Sequence, residues 1–281
     1  MLRALGAALL LLAAVSAKAA LVDVSIDDKL FGRLDQHDIE KCANSSCGPA
    51  AAVNSFVFLQ NMYPGSYGTN LVGDPNEYLN LVNTGTTLLD PKFMNTDCAD
   101  CGPGTLIQNF ITGKQAYLEQ QSPGKTTYKG QLAVPWPGAN PKPPYVQDNG
   151  APTIPFLTKE LTDKADVELL LSLPGGGHYV TLTGLQWDPA ALTGSITIVD
   201  PNGGVVSPES IFQSSDGALH INYVSKDSPV QPGTISAAIS ESATPATVVV
   251  PDLPEPDTYA MLLAGFAVII VACRRRSLSS R

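Results

Sequence analysis

The chain has 281 residues, 44% hydrophobic and 15% charged, which is enough for one sizeable core. Its net charge is −9, and no run of lysine or arginine occurs before the last few residues, so phosphate backbones are repelled and nucleic acid is excluded as a partner. The first stretch, "MLRALGAALLLLAAVSAKAA", has Arg3, an apolar run and a small-residue finish at Ala17-Lys18-Ala19, the pattern of a secretory signal peptide over residues 1–19.

Residues 20–46 form a polar lead-in. "PAAAVNSFVFLQN" (49–61) predicts a helix, with Ala50, Val53 and Val57 along one stripe, ended by Pro64-Gly65. Weaker helical patterns cover 74–84 and 103–121. Residues 133–155 are dense in proline and glycine and predict an irregular covering loop around Trp136. "TIPFLTKELTD" resumes helix.

The second half is strand-like. "DVELLLSL" (166–173), "HYVTLTGLQW" (178–187), "SITIVD" (195–200) and "ALHINYVS" (218–225) predict strands, with turns at "PGGG" (174–177) and at Pro201-Asn202-Gly203-Gly204. From Ser236 the composition shifts to Ala, Ser, Thr and Pro, which predicts a linker over 236–253. One domain over 20–235 is expected. Helices first and strands second read as α+β.

At the far end, residues 259–273 carry no charge and Arg274, Arg275 and Arg276 follow at once. This predicts a short membrane segment with its C-terminus on the cytoplasmic side. Loss of both ends removes Arg3, Lys18, Arg274, Arg275, Arg276 and Arg281, taking the net charge from −9 to −15, or about −14 if Asp257 is lost too.

One set of residues points to chemistry. A cysteine nucleophile must be a thiolate beside an imidazole, with a third group to orient the imidazole. In "NSSCGPAAAVNSFVFL" (44–59), Cys47 stands at a helix entry, where free N–H groups and the helix dipole stabilise negative charge on sulfur. The chain has three histidines, His37, His178 and His220. His178 opens a strand directly after three glycines, which leave room for a substrate, and is the candidate base. Asp200 ends the next strand. A hairpin centred near residue 190 pairs position 200 with about 180, which brings its carboxylate within reach of His178. Asn202 is the rival orienter.

"SCGPAAAVNSF", then "GGHYVTLTGL", then "IVDPNGG" resembles the papain-like cysteine peptidases, in particular the bacterial group that cleaves double-glycine leader peptides and its secreted relatives. The resemblance spans residues 35–205 and rests on three short motifs in the family's order. It implies a papain-like fold, with an N-terminal helical part carrying the cysteine and a C-terminal antiparallel sheet carrying His and Asp. It further implies Cys47 as nucleophile, His178 as general base and acid, and Asp200 as orienter, acting on a peptide or protein substrate. The family also places an oxyanion-donating glutamine about six residues before the cysteine. Lys41 stands there instead. Gln36, eleven before Cys47, serves that role if "HDIEKCANSS" bulges outward, and a disulfide from Cys42 to Cys98 or Cys101 would hold such a bulge.

The tail carries a second resemblance. Pro254-Glu255-Pro256, a short apolar segment and an arginine cluster resemble the PEP-CTERM sorting signal of Gram-negative bacteria, here over 254–281. It implies recognition by an exosortase-type sorting peptidase, passage through the inner membrane, and delivery to the cell surface or extracellular matrix.

In such a compartment Cys42, Cys47, Cys98 and Cys101 are an even set suited to disulfides. "CADC" (98–101) lacks the further ligands of a zinc site, and no cofactor is expected. Two functions stay open: an exported cysteine peptidase working through an acyl-enzyme, or a catalytically inactive surface or matrix protein that binds on the same fold.

Overall fold

The computed structural model describes residues 20–99, 102–148, 150, 152–225 and 229–245. The expected signal peptide, Cys101, residues 246–253 of the expected linker and the whole of the sorting signal, with its apolar segment 259–273, lie outside these. Among the described residues no helix is long and apolar enough to cross a membrane.

In chain order the elements are β1 (Val22–Ser25), α1 (Cys47–Met62), α2 (Pro64–Tyr67), α3 (Tyr78–Leu88), α4 (Ile107–Gln121), β2 (Thr126–Leu132), β3 (Val146–Gln147), α5 (Ile154–Thr162), β4 (Asp166–Leu173), β5 (Gly176–Asp188), β6 (Thr193–Asp200), β7 (Val205–Gln213), β8 (Leu219–Tyr223) and β9 (Gln231–Ala243). Strands β4 to β9 are antiparallel neighbours in sequence order, and β9 pairs back onto β4, so six strands close into a barrel. β1 extends the sheet from β5, while β2 and then β3 extend it from β9.

This closed barrel overturns the expected fold class. An α+β, papain-like arrangement of a helical part followed by a sheet is not what forms: among the described residues strand outweighs helix, and β1 and β2 from the first half join the same sheet. The reason lies largely in β9. Residues 236–243, expected to open a linker, are the second half of this strand. Ile235, Ala237, Ala238 and Ile239 are buried there, between β4 on one edge and β2 and β8 on the other. Pairing on both edges removes the exposed strand edge that an open sheet would carry.

α1 runs against the barrel. All of its residues from Gly48 to Gln60 are buried, which is why its hydrophobicity is spread all round rather than confined to a stripe. Thr181 of β5 donates its hydroxyl to the Ala51 carbonyl at 3.2 Å, fixing the helix across the strand that begins at Gly176. The N-terminus of α1 is thereby brought to the end of the barrel where β5 starts and β6 finishes.

Candidate active site

α1 begins at Cys47 itself. Ser46 holds the N-cap position but does not cap: its hydroxyl donates instead to the Gln36 carbonyl at 3.0 Å. Ser46 thus gives the first turn no capping acceptor, and the positive end of a 16-residue helix falls at the half-buried Cys47. Gly48 is required by close approach, since a Cβ there would lie 2.9 Å from Thr105 Oγ1.

His178 is the third residue of β5 and Asp200 the last of β6. Thr181 pairs with Val199, so position 200 falls beside 180, as the hairpin length predicts. His178 Nε2 lies 2.8 Å from Asp200 Oδ1, and the Cys47 sulfur lies close enough to interact with the imidazole. With Nε2 held by Asp200, Nδ1 is the ring nitrogen left for the sulfur. The three expected residues thus meet at one place.

Electrostatics favour a charged pair. Burial pushes the Cys47 thiol up, but the hydrogen bond and charge of His178 and the N–H groups of Tyr179 and Gly48 outweigh it and bring the thiol below its ordinary value. Burial pulls His178 down, yet the bonds and charges of Asp200 and Cys47 raise it to about 10. Both shifts point to a thiolate beside an imidazolium.

Asp200 is 1% exposed. Its Oδ1 also accepts the Asn202 N–H at 2.8 Å, and its Oδ2 accepts the Tyr223 hydroxyl at 2.6 Å. Asn202, the rival orienter, turns its side-chain amide to Ser225 Oγ at 2.7 Å and reaches the pair only through its backbone.

Gln36 opens a 3-10 turn, Gln36–Asp38, and is buried. Its backbone N–H donates to the Pro201 carbonyl at 2.8 Å, and its Nε2 donates to the Ala43 carbonyl at 3.2 Å. Gln36 and His178 both line a cavity of about 390 Å³, whose other walls include Asn44, Asn202, Tyr223 and Gln231. Lys41 points to solvent in the next turn. Cys42 and Cys98 form a disulfide with their Cα atoms 4.8 Å apart, which staples the segment before Cys47 to the loop that carries Thr105. The Thr105 carbonyl accepts the Tyr179 hydroxyl at 3.1 Å.

The other two histidines lie apart from Cys47 and Asp200. His37 is bonded to Asp35 at 2.7 Å on the rim of the cavity, and His220 stacks on Phe212 at 4.8 Å. Trp136 donates to the Asn140 carbonyl at 2.9 Å and belongs to its own covering loop.

One buried cluster went unnoticed in the sequence. Asp166, Glu168 and Glu241 bring carboxylate oxygens within 4.8 Å of one another, an arrangement that could hold a cation. The Lys114 ammonium, fully buried, already sits among them, 3.2 Å from Asp166 and bonded to Glu168 and Glu241. The cation of this site is the lysine, so we read the cluster as an internal ion-pair group between α4, β4 and β9. Tyr223 was also missed. Its segment "ALHINYVS" predicts a strand, and nothing in it says which alternate residue reaches Asp200.

No protein-family model matches this chain, and no curated protein matches it.

Proposed function

We propose that this protein hydrolyses peptide or other amide bonds through Cys47, His178 and Asp200. The observation that carries the reading is the His178–Asp200 bond at 2.8 Å, beside the sulfur at the start of α1. In this reading the thiolate adds to the substrate carbonyl carbon, forming a C–S bond and an oxyanion. The uncapped first-turn N–H groups of α1 and the second N–H of Gln36 Nε2 stabilise that oxyanion. The C–N bond breaks as His178 gives its proton to the leaving amine. His178 then takes a proton from water, the hydroxyl adds to the thioester, and the thiolate leaves.

The motif order shared with leader peptidases supports a peptide as substrate. The test is digestion of a mixed peptide library followed by mass spectrometry of new termini. Wild-type protein should generate them, Cys47→Ala should not, and Asp200→Ala should slow them. New termini that persist in Cys47→Ala overturn the proposal.

One observation favours a binding role on the same site: the Gln36 amide already donates to Ala43. Wild-type protein that retains peptides without cutting them would decide for that reading.

We also propose export and sorting through residues 1–19 and 254–281, with an exosortase-type peptidase as partner and the surface or matrix as destination. The Cys42–Cys98 disulfide supports an oxidising compartment. Recovery of the intact chain in the reduced cytosolic fraction would count against it.

A further inference from the structure

Asp200 is enclosed, and its bonds are few enough to follow one by one. Oδ1 accepts from His178 Nε2 and the Asn202 N–H, both at 2.8 Å, while Oδ2 accepts from the Tyr223 hydroxyl at 2.6 Å. Tyr223 ends β8, is 3% exposed, and sets its ring 5.3 Å from the His178 ring. It therefore touches the carboxylate from behind and the imidazole from the side, and it also walls the cavity beside His178.

We propose that Tyr223 is a positioning residue of this site, fixing the Asp200 carboxylate that holds His178 and sharing its negative charge. The inference rests on the Cys47–His178–Asp200 reading and extends it.

A buried carboxylate with three donors spreads its charge over both oxygens. Without the hydroxyl, Oδ2 has no partner in a place closed to water. The charge then acts more strongly through Oδ1, and His178 holds its proton more tightly. A more basic His178 makes Cys47 lose its proton at lower pH. The hydroxyl thus keeps the imidazolium acidic enough to give its proton to a leaving amine, as a general acid must. The other titratable groups facing this chain are Tyr179 beside the sulfur, His37 on the cavity rim, and Glu209 on β7. Burial and the nearby Asp200 charge push the Glu209 carboxyl up, and it is bonded by Ser207 and the Val224 N–H. None of them bonds Oδ2.

The experiment is the pH dependence of Cys47 alkylation by iodoacetamide, followed by mass spectrometry of the Cys47 peptide. Tyr223→Phe should move the low-pH limb down by about half to one pH unit, a roughly three- to tenfold change in proton affinity. In case the phenylalanine variant folds poorly, 3-fluorotyrosine at position 223 keeps the shape, strengthens the donor and should move the limb up. In the Asp200→Asn background both changes should have no effect, because no carboxylate charge is left to share. A limb that stays put, or a phenylalanine variant whose limb rises toward that of an ordinary thiol, overturns the role of Tyr223 alone. A wild-type limb already at the ordinary thiol value overturns the ion-pair reading and this inference with it.

Discussion

Replacing Lys114 by methionine removes the single cation from a group of three carboxylates. The side chains of Lys114, Asp166 and Glu168 are 0% exposed and that of Glu241 2%, so water cannot take the lysine's place. Burial already pushes Glu168 up to about 7 and raises Asp166 and Glu241 as well, with the Lys114 charge pulling each back. Breaking such a group from one side costs about 3–5 kcal/mol. The carboxyls can relieve part of this by taking up protons, so the loss belongs near the lower figure at pH 5 and near the upper at pH 8. The wild-type protein should show the same sign. Glu168 is raised in the fold from an ordinary 4.5 to about 7, so its contribution is full below 4.5 and fades as pH rises through 7, by about 3 kcal/mol in all. Urea unfolding followed by circular dichroism at pH 5 and pH 8 measures both effects. A Lys114→Met variant that loses under about 1 kcal/mol at pH 8, or loses more at pH 5 than at pH 8, refutes the reasoning.

Three further outcomes are expected. Breaking the disulfide with Cys42→Ser plus Cys98→Ser releases a closure of sequence separation 56 and should lower stability by about 4 kcal/mol in the chain-entropy account, read by urea unfolding. The same variant should slow alkylation of Cys47, because the segment that carries Gln36 and Ser46 is no longer stapled. Gly48→Ala forces a Cβ against Thr105 and should cost about 1–3 kcal/mol in a thermal or urea melt, with slower alkylation.

Much of the candidate site is legible in the sequence, for local reasons. Cys47-Gly48-Pro49 marks a helix entry through the residue types such a turn demands. The β5–β6 register follows from the length of one hairpin, so Asp200 could be set near His178 by counting. Gln36 needed more: its place depends on bonds to Pro201, Ala43 and Ser46 and on a segment stapled to the distant Cys98. The barrel depended on pairings that no local pattern announces. β9 is rich in alanine and serine, residues that argue weakly for strand, and it is a strand because β2, β4 and β8 all offer edges to it. Lys114 looks like a solvated charge on a weakly patterned helix, yet Asp166, Glu168 and Glu241 arrive on two strands to bury it. Tyr223 shows the same limit, because its partner stands 23 residues earlier on a different strand.

The central claim is that Cys47 is a thiolate paired with His178, and its alkylation rate tests that directly. The protein treated with iodoacetamide without reductant should be labelled at Cys47 at a pH well below about 8.5, the ordinary thiol value, and His178→Ala should return the rate to that of an ordinary thiol. A Cys47 that reacts only after a reductant is added, or only as an unperturbed thiol does, contradicts the account.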